Sequence, residues 1–191
     1  MDAYLVRAYL DDDDLTGLRY IMDKEIRQQE LKRLGGNDLK RRASAAEKYI
    51  KSAVKRGLNL DGAWDDGDFQ FLCDGFSGLM MINKIPGLPV LSVKPVDLLS
   101  IITGARKGGE EIYNDFDLAD IIIHYKTANK KGGSSYTIAD RFYDSKIIAE
   151  CAAILGGDIK CLLLGMNSMC PMLLVSENGQ AIILPLRKNN L

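Results

Sequence analysis

The chain has 191 residues and a formal net charge of −1, with 47% apolar and 27% charged side chains. That composition is ordinary for a globular protein, argues against long-range disorder, and supplies no global field directed at nucleic acid or membrane. The length suits one domain with an appendage or two small domains; no stretch approaches the roughly 18 apolar residues of a membrane span, and Met1-Asp2-Ala3 does not open a signal peptide, so a cytoplasmic protein is expected.

The first element reads as a helix. Leu15, Leu18, Met22, Ile26 and Leu31 recur at helical spacing behind Asp11-Asp12-Asp13-Asp14, an acidic run suited to a helix N-terminus. The same aspartates could hold magnesium, but adjacent side chains diverge on a helix. Gly35-Gly36-Asn37 should end this helix and Asp38 should start another. Residues 1–37 are therefore expected to form a helical appendage to a domain spanning 38–191.

From Asp38 to Arg56 the pattern is amphipathic. Leu39, Ala43, Ala46, Ile50, Ala53 and Val54 make one apolar stripe with Tyr49 at its margin, and the small alanines permit close approach to a sheet. Lys40, Arg41, Arg42, Lys48, Lys51, Lys55 and Arg56 stand against only Asp38 and Glu47. Such a face either meets phosphates or is simply solvated.

A β meander should follow. Strands over Leu58–Trp64 and Phe69–Cys73 flank Asp65-Asp66-Gly67-Asp68, a hairpin signal rather than a calcium loop because the twelve-residue ligand spacing is missing. Gly78–Ile85 is the next expected strand, Pro95–Ile102 a short helix with proline in its first turn, and Ala119–Lys126 a strand carrying His124. Gly104-Ala105-Arg106-Lys107-Gly108-Gly109 reads as a mobile turn, since no strand precedes it as a phosphate loop requires. Asn129–Ser135 is a further turn.

The last third repeats the order of the middle. Tyr136–Phe142 reads as a strand, and Asp144 caps a helix with Ile147, Ile148, Cys151, Ile154 and Leu155 on one side, stopped by Gly156-Gly157. Strands over Asp158–Leu164, Met172–Val175 and Gln180–Leu184 follow, the last two joined by the turn Glu177-Asn178-Gly179. Helix then three strands thus occurs twice, predicting an α+β fold with two helices on one layer. Pro185 marks an edge strand or the point where the last strand stops pairing.

Cys73, Cys151, Cys161 and Cys170 form no C-x-x-C pair and sit among apolar residues, so buried free thiols are expected rather than disulfides or a metal site. A single histidine cannot build a histidine-rich metal site. Neither a cofactor motif nor an enzymatic one is present.

Certain segments resemble a known family. Phe69-Gln70-Phe71-Leu72-Cys73-Asp74-Gly75-Phe76-Ser77-Gly78-Leu79 is similar to a strand–turn–strand of bacterial DNA sliding clamps, the β subunit of DNA polymerase III, whose pattern is an apolar strand followed by Thr-Asp-Gly/Ser-His/Tyr-Arg-Leu. Phe142, Lys146-Ile147-Ile148-Ala149-Glu150, Gly157-Asp158, Pro171-Met172-Leu173-Leu174 and Ile183-Leu184-Pro185-Leu186-Arg187 resemble that family's final unit and its terminal aliphatic-Met-Pro-Met/Val-Arg strand. The likeness covers roughly residues 38–187 and is weak between Leu88 and Ser135. Cys73 stands where threonine is usual and Ser77 where arginine is usual, and the chain has material for one clamp domain where the bacterial proteins carry three.

The resemblance implies a DNA-clamp-like domain of two β-α-β-β-β units, with antiparallel sheets and helices on one face. It further implies a non-enzymatic module whose helix cations, here Lys40, Arg41, Arg42, Lys48, Lys51, Lys55 and Arg56, meet duplex DNA without reading sequence. Replication or repair proteins would dock a short peptide at Cys73, Gly75, Phe76 and Leu79 together with Leu184, Pro185, Leu186 and Arg187. A homo-oligomer follows from the ring architecture, about six copies for a one-domain chain. The alternative is a structural or assembly protein that keeps the fold without DNA binding, and for the pocket residues, a place in an ordinary core.

Overall fold

The computed structural model describes residues 15–58, 60–91, 96–108, 111–113, 117–128, 134–165 and 169–186. The expectations for Asp11–Asp14, Pro95, 129–133 and Arg187 lie outside them. By contact density the chain divides into two compact units, Met1–Arg41 and Arg42–Leu191.

Helix α1 (Leu15–Lys55) has non-helical backbone at Gly35 (φ −147°) and Gly36 (φ 64°). This is the expected break, and Gly36 tolerates its positive φ because it lacks a Cβ. The first unit holds α1 up to Arg41.

In the second unit the remainder of α1 is followed by strands β1 (Trp64–Asp65), β2 (Gln70–Cys73) and β3 (Ser77–Met81), helices α2 (Leu98–Gly108) and α3 (Leu118–Ala128) with β4 (Glu111–Tyr113) between them, then β5 (Ser135–Ile138) and β6 (Arg141–Asp144). Helix α4 (Ser145–Leu155) and strands β7 (Lys160–Leu164), β8 (Met172–Ser176) and β9 (Gly179–Ile183) complete it. The fold is α+β. One antiparallel sheet runs β1-β2-β3-β9-β8-β7-β4, and β5-β6 is a separate hairpin.

Helix followed by three strands does occur twice, and the two triplets meet where β3 pairs with β9, Ser77 opposite Ile183 and Met81 opposite Gly179. The two three-strand runs therefore read outward from one central seam. Before α4 stands β6, which pairs with β5 and not with the main sheet.

Cross-strand partners share a face, and the register sorts the sheet. Leu79, Ala181 and Leu174 lie on one face, reached by Tyr49 of α1, whose hydroxyl lies 2.9 Å from Ser77 Oγ. Helix α4 packs on the same side, against β3, β8 and β9. On the other face Phe71, Met80, Leu162, Leu164, Leu173 and Ile182 form a buried cluster with Leu98 and Ile102 of α2. The expectation of helices on one face alone is corrected here. Runs such as Leu162-Leu163-Leu164 are apolar toward both faces, so both need cover. Gly78 admits α2, because a Cβ there would stand 2.3 Å from Leu98 Cδ2.

Four other expectations change. Residues 119–126 are helical, not a strand, because Asp117 starts a helix by accepting the Ala119 amide at 2.8 Å and a short apolar run fits either period; His124 is therefore helix-borne. The segment Tyr136–Phe142 is two strands, turned by Ala139 (φ 45°) and Asp140 (φ 60°), a hairpin geometry that Ala-Asp does not advertise. Gly104–Gly108 belongs to α2 rather than a turn. The first strand shrinks to Trp64–Asp65. The Asp65–Asp68 turn forms as expected, with the Gly67 amide on Asp65 Oδ1 (2.9 Å) and the Phe69 amide on Asp66 Oδ1 (2.7 Å).

Helix α4 is capped at both ends. Asp144 accepts the Lys146 amide at 2.9 Å. At the other end Arg42, only 4% exposed, donates from Nε to the Ile154 carbonyl (2.8 Å), from one terminal nitrogen to Asn178 Oδ1 (3.0 Å) and from the other to the Asn83 carbonyl (2.9 Å). Asn178 Nδ2 in turn donates to the Leu155 carbonyl at 2.8 Å. The cation thus sits at the negative end of the helix dipole and satisfies carbonyls that helix geometry leaves open.

Arg42→Ala is expected to lower stability by about 3 kcal/mol or more, seen as a lower urea midpoint, because several buried acceptors lose their donor. Arg42→Lys should recover little, since one ammonium cannot span the fork's acceptors. Gly78→Ala should lower stability by about 1–3 kcal/mol in the same measurement, through overpacking against Leu98.

Candidate functional site

The second unit's part of α1 is amphipathic because small and apolar residues recur on one side. Ala43, Ala46, Ile50 and Ala53 are buried, while Ser44, Lys48, Lys51 and Lys55, spaced four, three and four apart, are exposed along the opposite side. The three lysines span seven residues, about 10 Å of helix.

The other predicted cations are placed differently. Arg42 is not on this face: it is buried in the network at the end of α4, because its long planar fork reaches acceptors that no solvent contact would satisfy. Lys40 and Arg41 belong to the first unit, and Arg41 Nε donates to the Asn37 carbonyl at 3.5 Å. Arg56 turns toward the sheet. It meets Asp74 Oδ2 at 2.5 Å with its side chain 34% exposed, donates from Nε to the Ser52 carbonyl at 3.3 Å, and lies 5.7 Å over the Phe76 ring.

Asp74 is the centre of that corner. It is fully buried, and its Oδ1 accepts the Phe76 amide (3.0 Å), the Ser77 amide (2.7 Å) and the Ser77 hydroxyl (3.0 Å). Gly75, at φ 84°, makes the tight turn. The sequence pointed to this stretch through the family likeness but missed the hub. Asp74-Gly75 followed by Ser77 is the local signal that could have found it, an aspartate closing a turn on the amides beyond it. Ser77, where the family carries arginine, is here the link to Tyr49.

The turn presents Phe76, 49% exposed, next to Leu184, 46% exposed. The Leu184 amide donates to the Phe76 carbonyl at 2.9 Å, and the Leu186 amide to the Phe142 carbonyl at 2.7 Å. Pro185 falls between them, after β9 has ended at Ile183, where no donor is required. The tail therefore marks the end of pairing in a central strand.

Of the predicted peptide-site residues, the structure brings Gly75, Phe76, Leu184, Pro185 and Leu186 to this corner. Two belong elsewhere. Leu79 is wholly buried under the helices, in register with Ala181, and Cys73 packs against the α2 cluster on the other face. Strand alternation is the reason: Cys73 is in register with Gly78 and Leu79 with Leu72, so the two point to opposite faces of the sheet.

Of the four cysteines, expected to be buried free thiols, Cys151 is buried while Cys73, Cys161 and Cys170 are half-buried, and all four are free. Burial pushes the Cys151 thiol far up, raises Cys73, and lifts Cys161 to about 11, so the reactive thiolate form of each is disfavoured. His124 Nδ1 lies 3.3 Å from Ser145 Oγ, but that hydroxyl donates to the Ser134 carbonyl at 2.7 Å, which commits its proton. Among the described residues no group of three or more His, Cys, Asp or Glu side chains is placed to hold a metal ion. What this surface offers is charge on α1 and apolar area at Phe76 and Leu184.

On the neighbouring helix Lys146 Nζ stands 3.8 Å from Glu150. Burial raises the Glu150 carboxyl above its ordinary value of 4.5, with Lys146 and Arg56 opposing the shift. A raised folded value gives stability that is fully present below the unfolded value and is lost as pH rises through the folded one. Glu150→Gln is therefore expected to raise Tm at neutral pH, with the gain over the unmodified chain closing as the pH falls below 4.5.

Compared with protein families, curated proteins and solved structures, the chain matches no family model, no curated protein and no solved structure.

Proposed function

We propose that this chain is a non-enzymatic, sliding-clamp-like module that lies against duplex DNA through the outer face of α1 and docks partner peptides at the Phe76–Leu184 corner. The observation that carries the reading is the pairing of helix placement and charge. Residues 42–55 of α1 and helix α4 lie on one side of a single antiparallel sheet, with Lys48, Lys51 and Lys55 in line on the exposed side of α1. Flexible ammonium groups on a rigid rod meet phosphates without reading bases, as a sliding contact requires. At the corner, exposed apolar side chains supply the burial that peptide docking needs.

A second reading, an assembly protein that keeps the fold without DNA binding, is favoured by the loss of cations from the predicted face. In the second unit Arg42 is buried and Arg56 is held by Asp74, while Lys146 is offset by Glu150.

One titration separates the two. Fluorescence anisotropy with a labelled duplex at low salt should show sequence-independent binding. Three lysine–phosphate contacts give a log–log salt slope of about −2.7. Lys48→Glu with Lys51→Glu and Lys55→Glu should abolish binding while the thermal transition is kept. Absence of duplex binding by the unmodified chain at low salt would overturn the DNA reading in favour of assembly.

A further inference from the structure

Helix α1 between Leu15 and Leu34, in the first unit, is apolar on more than one side. Leu31 is buried, with Leu18 and Ile21 half-buried. On another side Leu15, Met22 and Ile26 follow at spacings of seven and four, and they are 66%, 44% and 59% exposed. At about 100° per residue these three fall within about 40° of one another, a continuous stripe rather than scattered surface residues. A contiguous apolar stripe on an exposed helix marks a surface that another body covers.

The charges beside the stripe identify that body. Arg19 and Glu30 are both exposed and fall on the same flank of the stripe, about 20° apart around the helix. If two copies of this helix run antiparallel with Met22 of one against Ile26 of the other, the same register sets Arg19 of each copy beside Glu30 of its partner. In antiparallel helix pairs the same flank of each helix faces its counterpart, so the match forms twice about the two-fold axis. Leu15 then stands opposite Arg33 of the partner, which lies at the same angle around the helix, and packs on the aliphatic stem of that exposed side chain.

We propose that the chain self-associates as a symmetric, antiparallel pair through residues 15–34, the Leu15–Met22–Ile26 stripe of one copy covering the same stripe of the other. This pairing does not depend on the DNA reading. It uses a helix outside the unit that carries Lys48, Lys51 and Lys55.

Sedimentation equilibrium of the full chain over a wide concentration range tests it. The expected result is a monomer–dimer equilibrium. Met22→Glu with Ile26→Glu should return the monomer mass throughout, with the far-ultraviolet circular dichroism of the helices kept because both side chains are exposed in the single chain. Arg19→Glu should weaken association about tenfold through like charges facing each other twice, and adding Glu30→Arg to the same chain should restore it. A monomer at every concentration for the unmodified chain overturns the proposal. So does a dimer that survives Met22→Glu/Ile26→Glu, and a charge swap that fails to restore pairing overturns the antiparallel register.

Discussion

One buried arginine carries much of this architecture. Arg42 reaches from α1 to the end of α4, to the β8–β9 turn through Asn178 and to the chain leaving β3 through Asn83. These are the places where the two repeated halves come together. A buried cation is destabilising unless its donors are satisfied, and here carbonyls at a helix C-terminus and a side-chain amide supply the acceptors. The Asn178 backbone carbonyl adds to the junction by accepting the Ile82 amide at 2.9 Å. The network fixes where residues 42–55 of α1 lie on the sheet, and so which side of that segment is left outward.

A second anchor stands at the other end of the same helix segment. Tyr49, Ser77, Asp74 and Arg56 form a connected chain of hydrogen bonds, and burial raises the Tyr49 hydroxyl well above its ordinary value, keeping it a neutral donor. Because Asp74 also closes the turn that presents Phe76, the anchor of the helix and the shape of the apolar corner share one carboxylate. Arg56 is thereby a positioning residue for that corner, and within the second unit the exposed lysines of α1 are Lys48, Lys51 and Lys55.

Much of this was legible in the sequence where local chemistry and periodicity agree. The helix from Asp144 to Gly156, the three strands after it and the Asn-Gly hairpin follow from caps, turn residues and alternation, and the break at Gly35-Gly36 from glycine alone. Legibility failed where an apolar run fits two periods, as at Ile121-Ile122-Ile123, or where a turn uses residues that do not announce it, as at Ala139-Asp140. The site was half legible. The exposed lysines follow from amphipathic spacing, but Leu79 and Cys73 were placed by motif, and motif position does not say which face of a strand a side chain occupies.

The sequence by itself determined the elements and the repeated order, because capping, turn chemistry and hydrophobic period act within a few residues along the chain. Only the tertiary structure decided that β3 and β9 join the halves, that α2 covers the second face of the sheet through Gly78, and that Arg42 points inward while Lys48, Lys51 and Lys55 point out. An arginine and a lysine look alike in a charge pattern. What separates them is whether distant carbonyls arrive within reach of the side chain, and that depends on contacts made more than a hundred residues away.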